Sequence, residues 1–227
     1  MKYIIFDIDG TLTDTTEIDD LCFTQAIEDT FGFYDFETNY GHYKNTTDSG
    51  IIDQLFRERL GRSYNSEEQH KFILHFCNLL EQAYRSKPDC IREISKAGKT
   101  IELLCQQEHL SIGLATGGWR ESALFKLRCA GINIDGCTAA SFAQDAMARQ
   151  DIIGHTIRRM NAKHHREQEL SDIVYIGDGN WDYLAATELG ICFIGIENKR
   201  LAHLNDIIKI ADYADLHQHI GLMQHID

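Results

Sequence analysis

The sequence predicts an α/β protein with a parallel sheet at its core and a helical insert after the first strand. Short apolar runs alternate with segments whose apolar residues recur at helical spacing, which favours parallel strands joined by helices. The first run covers residues 3–6, and the long segment that follows, residues 15–95, has almost only helical patterns. Several of the runs end in acidic or hydroxyl side chains, and ligands bind at the carboxyl ends of strands in open α/β sheets.

The elements follow one another in a regular order along the chain. The predicted strands cover residues 3–6, 111–115, 136–140, 173–176 and 191–196, of which the last is expected to be the final strand of the core. Apolar residues at helical spacing predict helices that include residues 19–27, 51–56, 72–80, 101–104, 119–122, 152–160 and 185–190. The alternation after residue 100 indicates helices on both faces of a parallel sheet.

Two aspartates, Asp7 and Asp9, directly follow the first strand. Residues i and i+2 of a strand face the same side, so their carboxylates can reach one common point. Gly10 then allows a sharp turn and a close approach to a ligand. One carboxylate can act as a nucleophile in phosphoryl transfer, and a second can protonate the leaving oxygen and then activate water. The structural alternative is a strand that ends in an ordinary Asp-Gly turn.

A second acidic cluster, Asp178 and Asp182, follows the strand at residues 173–176. Four carboxylates brought to one edge of the sheet would repel each other unless a cation lay among them. The two clusters together therefore suggest a magnesium site beside a nucleophilic aspartate.

The strand at residues 111–115 ends in Thr116, Gly117 and Gly118, and a helical stretch begins directly afterwards. A threonine hydroxyl and glycine N–H groups at the start of a helix form a favourable site for an anion. A plain strand-to-helix turn with glycine at its bend is the structural alternative. The strand–turn–helix context favours the phosphate-binding interpretation.

The three motifs, in this order, resemble those of the haloacid dehalogenase superfamily, specifically of its phosphatase-type members. The resemblance covers residues 1–196 and leaves the helical insert unmatched in detail. It implies a Rossmann-like core, with Asp7 as the nucleophile and Asp9 as the general acid and base. It further implies phosphate binding by Gly10, Thr116, Gly117 and Gly118, and Mg²⁺ binding by Asp7, the backbone carbonyl of Asp9, Asp178 and Asp182.

The family also uses a cation, usually lysine, upstream of the late acidic motif at the start of a helix. This sequence departs from that pattern, because Arg149 lies at the matching place, just before the helix at residues 152–160. Lys163 is too close to the following strand and is expected at the end of that helix, where cations are favoured. Arg149 is therefore predicted to be catalytic, although an ordinary exposed arginine remains the alternative.

The helical insert resembles the C1-type cap of the family, which implies a lid that closes over a small substrate. The predicted boundaries are residues 15–95 for the cap, and residues 1–14 plus 96–227 for the core. A polar stretch at residues 40–50 is the expected substrate-facing loop of the cap. Lys44 and His42 are candidates for contact with an anionic substrate, and Asp48 is either a contact or an N-cap.

Composition limits the classes of partner. The chain has 227 residues and a formal net charge of −13, which argues against non-specific binding of nucleic acid. No apolar stretch is long enough for a transmembrane helix, and no secretory leader is evident, so a soluble cytoplasmic protein without a membrane partner is expected. A small phosphorylated metabolite is the expected ligand, and the protein is expected to be a monomer or a homodimer.

The predicted activity is hydrolysis of a phosphate monoester, with Mg²⁺ as cofactor and an aspartyl phosphate on Asp7. A phosphomutase of sugar phosphates, which passes the phosphoryl group to a second hydroxyl, is the main alternative. A catalytically silent phosphate-binding protein of the same fold is another, because fold alone does not determine function.

Overall fold

The computed structural model describes residues 1–214 and residue 216, so the end of the predicted core, up to residue 227, lies outside the described residues. The strands are β1 (Lys2–Phe6), β2 (Thr13–Asp14), β3 (Arg92–Glu93), β4 (Leu110–Ala115), β5 (Ala139–Ser141), β6 (Ile173–Gly177), β7 (Cys192–Ile196) and β8 (Ile208–Ile210). The helices are α1 (Thr16–Phe31), α2 (Asp48–Leu60), α3 (Ser66–Ser86), α4 (Ala97–Cys105), α5 (Arg120–Cys129), α6 (Arg149–His164) and α7 (Asn180–Leu189). None of these helices, within the described residues, is both long enough and apolar enough to cross a membrane.

Six of the described strands form one parallel sheet in the order β5-β4-β1-β6-β7-β8. The first strand lies inside this sheet, where Lys2 pairs with Leu110 of β4 and Tyr3 pairs with Ile173 of β6. α-Helices connect the parallel strands up to β7, whereas a loop with one short helical turn leads from β7 to β8. The arrangement confirms the predicted α/β class with a Rossmann-like core.

Both faces of the sheet are covered, and β1 shows this most clearly. Ile4 and Phe6 belong to one apolar cluster, whereas Tyr3 and Ile5 belong to a second cluster on the opposite face. All four side chains are fully buried. A continuous apolar run is therefore what this strand needs, and its end at Asp7 marks the edge of the core.

The insert has an apolar core of its own, built by α1, α2 and α3. The ring of Phe23 makes edge-on contacts with the rings of Phe72 and Phe76, at 5.3 and 5.6 Å between centroids. Edge-to-face geometry at such distances is favourable for aromatic pairs. Trp119 and Ala143, which lie outside the insert, also belong to this cluster, so the insert packs against the rest of the chain. The predicted boundaries at residues 15 and 95 stay a prediction.

The insert is less completely helical than its sequence predicts. Strand β3 pairs antiparallel with β2, so a short two-stranded ribbon lies where the chain leaves the core and returns to it. Residues 32–47 contain only one short helical turn, Tyr40–His42, besides bends and loops. Two-residue strands carry no periodic signal, which explains why the sequence did not indicate the ribbon.

Two strand predictions need correction. Strand β7 is not the final strand, because β8 follows it and pairs with it in parallel, Ile194 opposite Ile208. The short strand predicted at residues 136–140 occupies Ala139–Ser141 instead. Strands β5 and β8 are the two edge strands of the sheet and have three residues each. They are too short for a hydrophobic pattern to define their ends.

Candidate active site

A cavity of about 210 Å³ lies between the carboxyl edge of the sheet and the helical insert. Asp7 follows β1, Thr116 follows β4 and Asp178 follows β6. Because β4 and β6 are both neighbours of β1, parallel pairing brings these three residues to one place. All three line the cavity, so residues more than 100 positions apart in the chain share one site.

Three of the predicted carboxylates form a tight cluster. Oxygen atoms of Asp7, Asp178 and Asp182 all lie within 4.8 Å of one another. Each of these residues is at most 3 % exposed. Burial, together with the charge of Asp182, raises the pKa of Asp7 well above its usual range and that of Asp178 to about 7. Such a cluster favours the binding of a cation.

Arg149 provides one positive charge at this cluster. Its Nη1 atom lies 3.1 Å from Oδ1 of Asp7 and 3.0 Å from Oδ1 of Asp182. Its Nη2 atom donates a hydrogen bond to the backbone carbonyl of Thr46 in the insert. The guanidinium therefore contacts the predicted nucleophile, the late acidic motif and the insert at the same time.

The predicted phosphate-binding turn lies opposite these acids. Thr116, Gly117 and Gly118 precede α5 and line the cavity, and the Gly118 N–H donates to Oγ1 of Thr116. A Cβ atom on Gly117 would lie 2.4 Å from Nη2 of Arg149, so only glycine lets the guanidinium approach the turn. Because Gly117 has no side chain, the Arg149 guanidinium can lie beside the backbone N–H groups of this turn.

Gly10 holds the first motif against the second. Its φ of +73° lies in the left-handed region, and a Cβ atom there would be 2.3 Å from Oδ2 of Asp178. Backbone strain and steric overlap therefore both exclude a side chain at this position.

Asp9 follows Asp7 closely, yet its carboxylate makes different contacts. Thr15 Oγ1 donates to Oδ1 of Asp9 at 2.6 Å, and Lys126 Nζ lies 2.7 Å from the same carboxylate. The Asp9 side chain remains 20 % exposed and lines the cavity, so it is accessible to a ligand. The two aspartates of the first motif thus occupy separate polar surroundings.

The start of α2 joins the insert to the core. Thr47 is the N-cap of this helix: its hydroxyl accepts from the Gly50 N–H and donates to the Met147 carbonyl. Asp48 receives a hydrogen bond from the Trp119 N–H and lines the cavity. These contacts seat the helix against the turn that precedes α5.

The other two insert candidates lie elsewhere. Lys44 is exposed and does not line the cavity; its backbone N–H donates to the side chain of Gln54. His42 pairs with Glu37 at 3.2 Å on the surface. The structure therefore does not bring either side chain to the site, which is a correction to both expectations.

The insert instead presents acidic side chains to the cavity. Asp19, Asp20 and Asp48 line it, and none of the described insert residues that line it is lysine or arginine. Burial raises the pKa of Asp19 to about 7 and that of Asp20 to about 6. The Asp20 carboxylate lines the cavity and makes no side-chain hydrogen bond or ion pair with a described residue, although the charges of Arg200 and Lys126 act on it from a distance and oppose the rise of its pKa.

Sequence reasoning did not identify two cations of the site. Arg200 Nη1 lies 2.7 Å from Oδ2 of Asp178, and Lys126 contacts Asp9 and Asp19. Lys126 lies among apolar residues of α5, where a lysine normally marks the exposed face, and Arg200 lies in a loop after β7. A charged residue at a buried helical position is the signal that would have indicated Lys126.

Comparison with known proteins gives a family match. A model of haloacid dehalogenase-like hydrolases matches residues 1–190, which confirms the resemblance that the three motifs indicated. None of the curated proteins matches the chain.

Solved structures with similar folds agree with this match. A hydrolase from Pseudomonas syringae has a TM-score of 0.71 at 20 % identity, over 98 % of this chain and 99 % of the other. A predicted phosphoglycolate phosphatase from Haemophilus somnus 129PT gives 0.63 at 18 %, over 96 % and 97 %. A candidate beta-phosphoglucomutase from Bacteroides vulgatus gives 0.67 at 17 %, over 99 % and 89 %. At these identities the similarity establishes the fold.

Proposed function

The chain belongs to the haloacid dehalogenase-like hydrolase family and is therefore an enzyme, and we propose that it is a magnesium-dependent phosphatase of small phosphate monoesters. One observation carries the proposal. Asp7, a phosphate-binding turn at Thr116 and a buried carboxylate at Asp178 surround a single cavity. These are the groups that an aspartate-based phosphoryl transfer requires.

The residues present fit a magnesium ion. Asp7, Asp178 and Asp182 offer carboxylate oxygens, which are the ligands that Mg²⁺ prefers, and Arg149 and Arg200 offset only part of the buried negative charge. The backbone carbonyl of Asp9 completes the proposed set of ligands. When bound, the ion supplies positive charge that lets the Asp7 carboxylate approach an anionic phosphoryl group.

Asp7 performs the first step of the proposed reaction. One of its carboxylate oxygens attacks phosphorus, so that a P–O bond to Asp7 forms as the P–O bond to the alcohol breaks. Asp9, in its acid form, gives its proton to the departing oxygen. The products of this step are the free alcohol and an aspartyl phosphate.

Asp9 also acts in the second step. As a carboxylate, it takes a proton from a water molecule, whose oxygen attacks phosphorus and breaks the bond to Asp7. Inorganic phosphate leaves, and both aspartates return to their starting states. Meanwhile the Thr116 hydroxyl, the N–H groups of the turn and Arg149 are placed to orient the phosphoryl oxygens.

The insert favours a phosphatase over a phosphomutase. A mutase that works through a bisphosphate must hold a second phosphate group away from Asp7. The insert residues that line this side of the cavity include Asp20, whose carboxylate forms no ion pair with a described residue and would repel such a group. We therefore propose that water, rather than a second hydroxyl of a phosphorylated substrate, accepts the phosphoryl group.

The size of the cavity favours a small substrate. Its volume of about 210 Å³ is below the 300–1,000 Å³ or so that is usual for ligand pockets. A phosphate group with a short alcohol fits this space. A cytoplasmic location and a monomeric or homodimeric state stay predictions.

The proposed activity can be tested with a panel of phosphate monoesters. Purified protein is incubated with Mg²⁺ or with EDTA, and released phosphate is measured. We expect turnover that depends on Mg²⁺, and its loss in Asp7→Asn, which keeps the shape of the side chain but lacks a nucleophilic oxygen anion. Near-normal hydrolysis by a folded Asp7→Asn protein would exclude this nucleophile.

A further inference from the structure

Lys126 is a cation with no exposed surface. It lies on α5, and its Nζ atom is 2.7 Å from the Asp9 carboxylate and 2.5 Å from Oδ1 of Asp19. The ammonium group therefore lies between two carboxylates.

These two partners belong to different parts of the fold. Asp9 lies in the loop after β1, whereas Asp19 lies in the first turn of α1 in the insert. The second support of Asp9, Thr15, directly precedes α1. The Asp9 carboxylate is thus held by Lys126, on helix α5 of the core, and by Thr15, where the chain enters the insert.

We propose that Lys126 is a positioning residue that fixes the Asp9 carboxylate for proton transfer to and from the reacting oxygen. The proposal rests on the proposed function. A carboxylate held only by Thr15 can rotate about its side-chain bonds, whereas a second, charge-assisted contact from Nζ selects one orientation. Proton transfer depends on that orientation, because the donor must lie within hydrogen-bond reach of the leaving oxygen.

The cost of burying an ammonium group supports a role beyond packing. An apolar residue could fill the same space on α5 without the free-energy cost of removing a charged group from water. Buried ion pairs often stabilise a protein no more than such an apolar replacement does. Lys126 nevertheless has its charge directed at a cavity-lining acid. Its contact with Asp19 compensates the charge and gives the ammonium a fixed anchor.

The test uses variants that separate orientation from stability. Lys126→Met removes the ammonium, but it leaves two partly buried carboxylates without their cation. The double variant Lys126→Met with Asp19→Asn removes both members of the pair and limits that damage. Lys126→Arg keeps the charge, and Lys163→Met changes an exposed lysine on α6 as the matched control. Thermal unfolding identifies the variants that fold.

The kinetic measurement compares two classes of substrate. An alkyl phosphate needs a proton from Asp9 as its alcohol leaves, whereas 4-nitrophenolate leaves without one. We expect the double variant to lose about 10-fold or more in kcat/KM with the alkyl ester, and much less with 4-nitrophenyl phosphate. Lys126→Arg should recover most of this difference, and Lys163→Met should match the wild type.

A structural measurement tests the proposal without relying on activity. In a crystal structure of the double variant, we expect the Asp9 carboxylate to leave its wild-type orientation. Asp9 carboxylate oxygens that stay within about 0.5 Å of their wild-type positions would overturn the proposal. So would equal losses for both substrates in a folded variant. Failure of the proposed function is a different result: the wild-type protein itself would hydrolyse neither ester.

Discussion

At the scale of single residues, the site places buried charges of opposite sign in direct contact. Arg149 is shared by Asp7 and Asp182, and Lys126 is shared by Asp9 and Asp19. A buried charge that loses its partner is costly, because it can recover neither water nor a counter-ion. Substitutions at these residues therefore need a readout of folding beside the readout of activity.

Arg149 tests the departure from the family pattern. Arg149→Ala should lower kcat by about 10²–10³, since it removes a charge beside the proposed nucleophile. Arg149→Lys should recover part of the loss, because lysine retains the charge but cannot contact two carboxylates and a carbonyl with one planar group. Steady-state hydrolysis of phosphate monoesters gives the comparison.

Lys163 provides the matched control for this prediction. It is exposed in the last turn of the same helix, so Lys163→Ala should leave kcat within about twofold. An inactive Lys163→Ala protein beside an active Arg149→Ala protein would show that the cation had been assigned to the wrong end of α6.

Asp178 and Asp182 should respond differently to substitution. Asp178→Ala should raise the Mg²⁺ concentration needed for half-maximal activity strongly, with a smaller loss of stability. Asp182 accepts hydrogen bonds from the Gly179 N–H and the Tyr175 hydroxyl, so Asp182→Ala should also cost about 1–3 kcal/mol of unfolding free energy for each donor left unpaired. Mg²⁺ titrations and denaturant unfolding measure the two effects.

Asp89→Ala, an exposed substitution, is the control for these two variants. An unchanged Mg²⁺ requirement in both Asp178→Ala and Asp182→Ala would contradict the proposed metal site.

Site residues that follow a strand could be predicted, whereas those that depend on packing could not. Asp7, Thr116 and Asp178 each follow a continuous apolar run, so their place at the edge of the sheet was implicit in the sequence. Lys126 does not follow an apolar run, and its role depends on which face of α5 meets the insert. The expectation for Lys44 was wrong for a similar reason, because a lysine in a polar loop does not indicate whether the loop places that side chain in the cavity.

At the scale of secondary-structure elements, helix starts organise both the site and the insert. The N-cap of α2 contacts the core through the Met147 carbonyl, and α5 begins directly after the proposed phosphate-binding turn. The N-terminus of α3 lies away from the cavity and is closed by a capping box between Asn65 and Glu68. This last start offers a test of stability that is separate from activity.

Asn65→Ala should lower the unfolding free energy, measured by denaturant unfolding, by about 1 kcal/mol, because it leaves the N–H groups of Glu67 and Glu68 without their acceptor.

Hydrogen bonds from Arg62 lower the pKa of Glu68 to about 2. This lowered pKa contributes stability above the unfolded value, about 4.3, and the contribution is lost as pH falls toward 2. Unfolding of the wild type and of Glu68→Gln from pH 6 to pH 3 isolates this small contribution. An identical pH dependence in both would contradict it.

Long elements were easier to predict than short ones. The helix α3 repeats its apolar face over several turns. Strands β1 and β6 contain the apolar runs 3–6 and 173–176, and Ser111 is the one polar side chain in β4. Strand β8 has three residues with a lysine in the middle, and the ribbon of β2 and β3 has two residues on each side. Such elements are stabilised by neighbouring strands rather than by their own pattern, so the sequence alone does not define them.

At the scale of the whole molecule, the insert gives the cavity an acidic inner face. Six aspartates line the cavity among the described residues, against two arginines. The core side of the cavity, with its two arginines and the proposed phosphate-binding turn, thus favours a phosphate group. The insert side, with its aspartates, disfavours a second negative charge on the substrate.

This asymmetry predicts a preference between matched substrates. Phosphoethanolamine should have a kcat/KM about 10-fold or more above that of 2-phosphoglycolate, because a single unfavourable contact with a like charge costs on the order of 1–2 kcal/mol in a partly buried site. Asp20→Asn should reduce the difference, since the Asp20 carboxylate lines the cavity and forms no ion pair with a described residue. Equal kcat/KM values for the two esters would contradict a selective role of the insert.

The place of β1 in the sheet has a consequence for biosynthesis. Residues 3–6 leave the ribosome well before their partners, because Lys2 pairs with Leu110 and Tyr3 with Ile173. At about 5–20 residues per second, this apolar segment waits many seconds for its second neighbour. The nascent chain therefore carries an unpaired strand through most of its synthesis, while the helical insert can already pack its own aromatic core. A chaperone that binds short apolar segments has its natural target in β1.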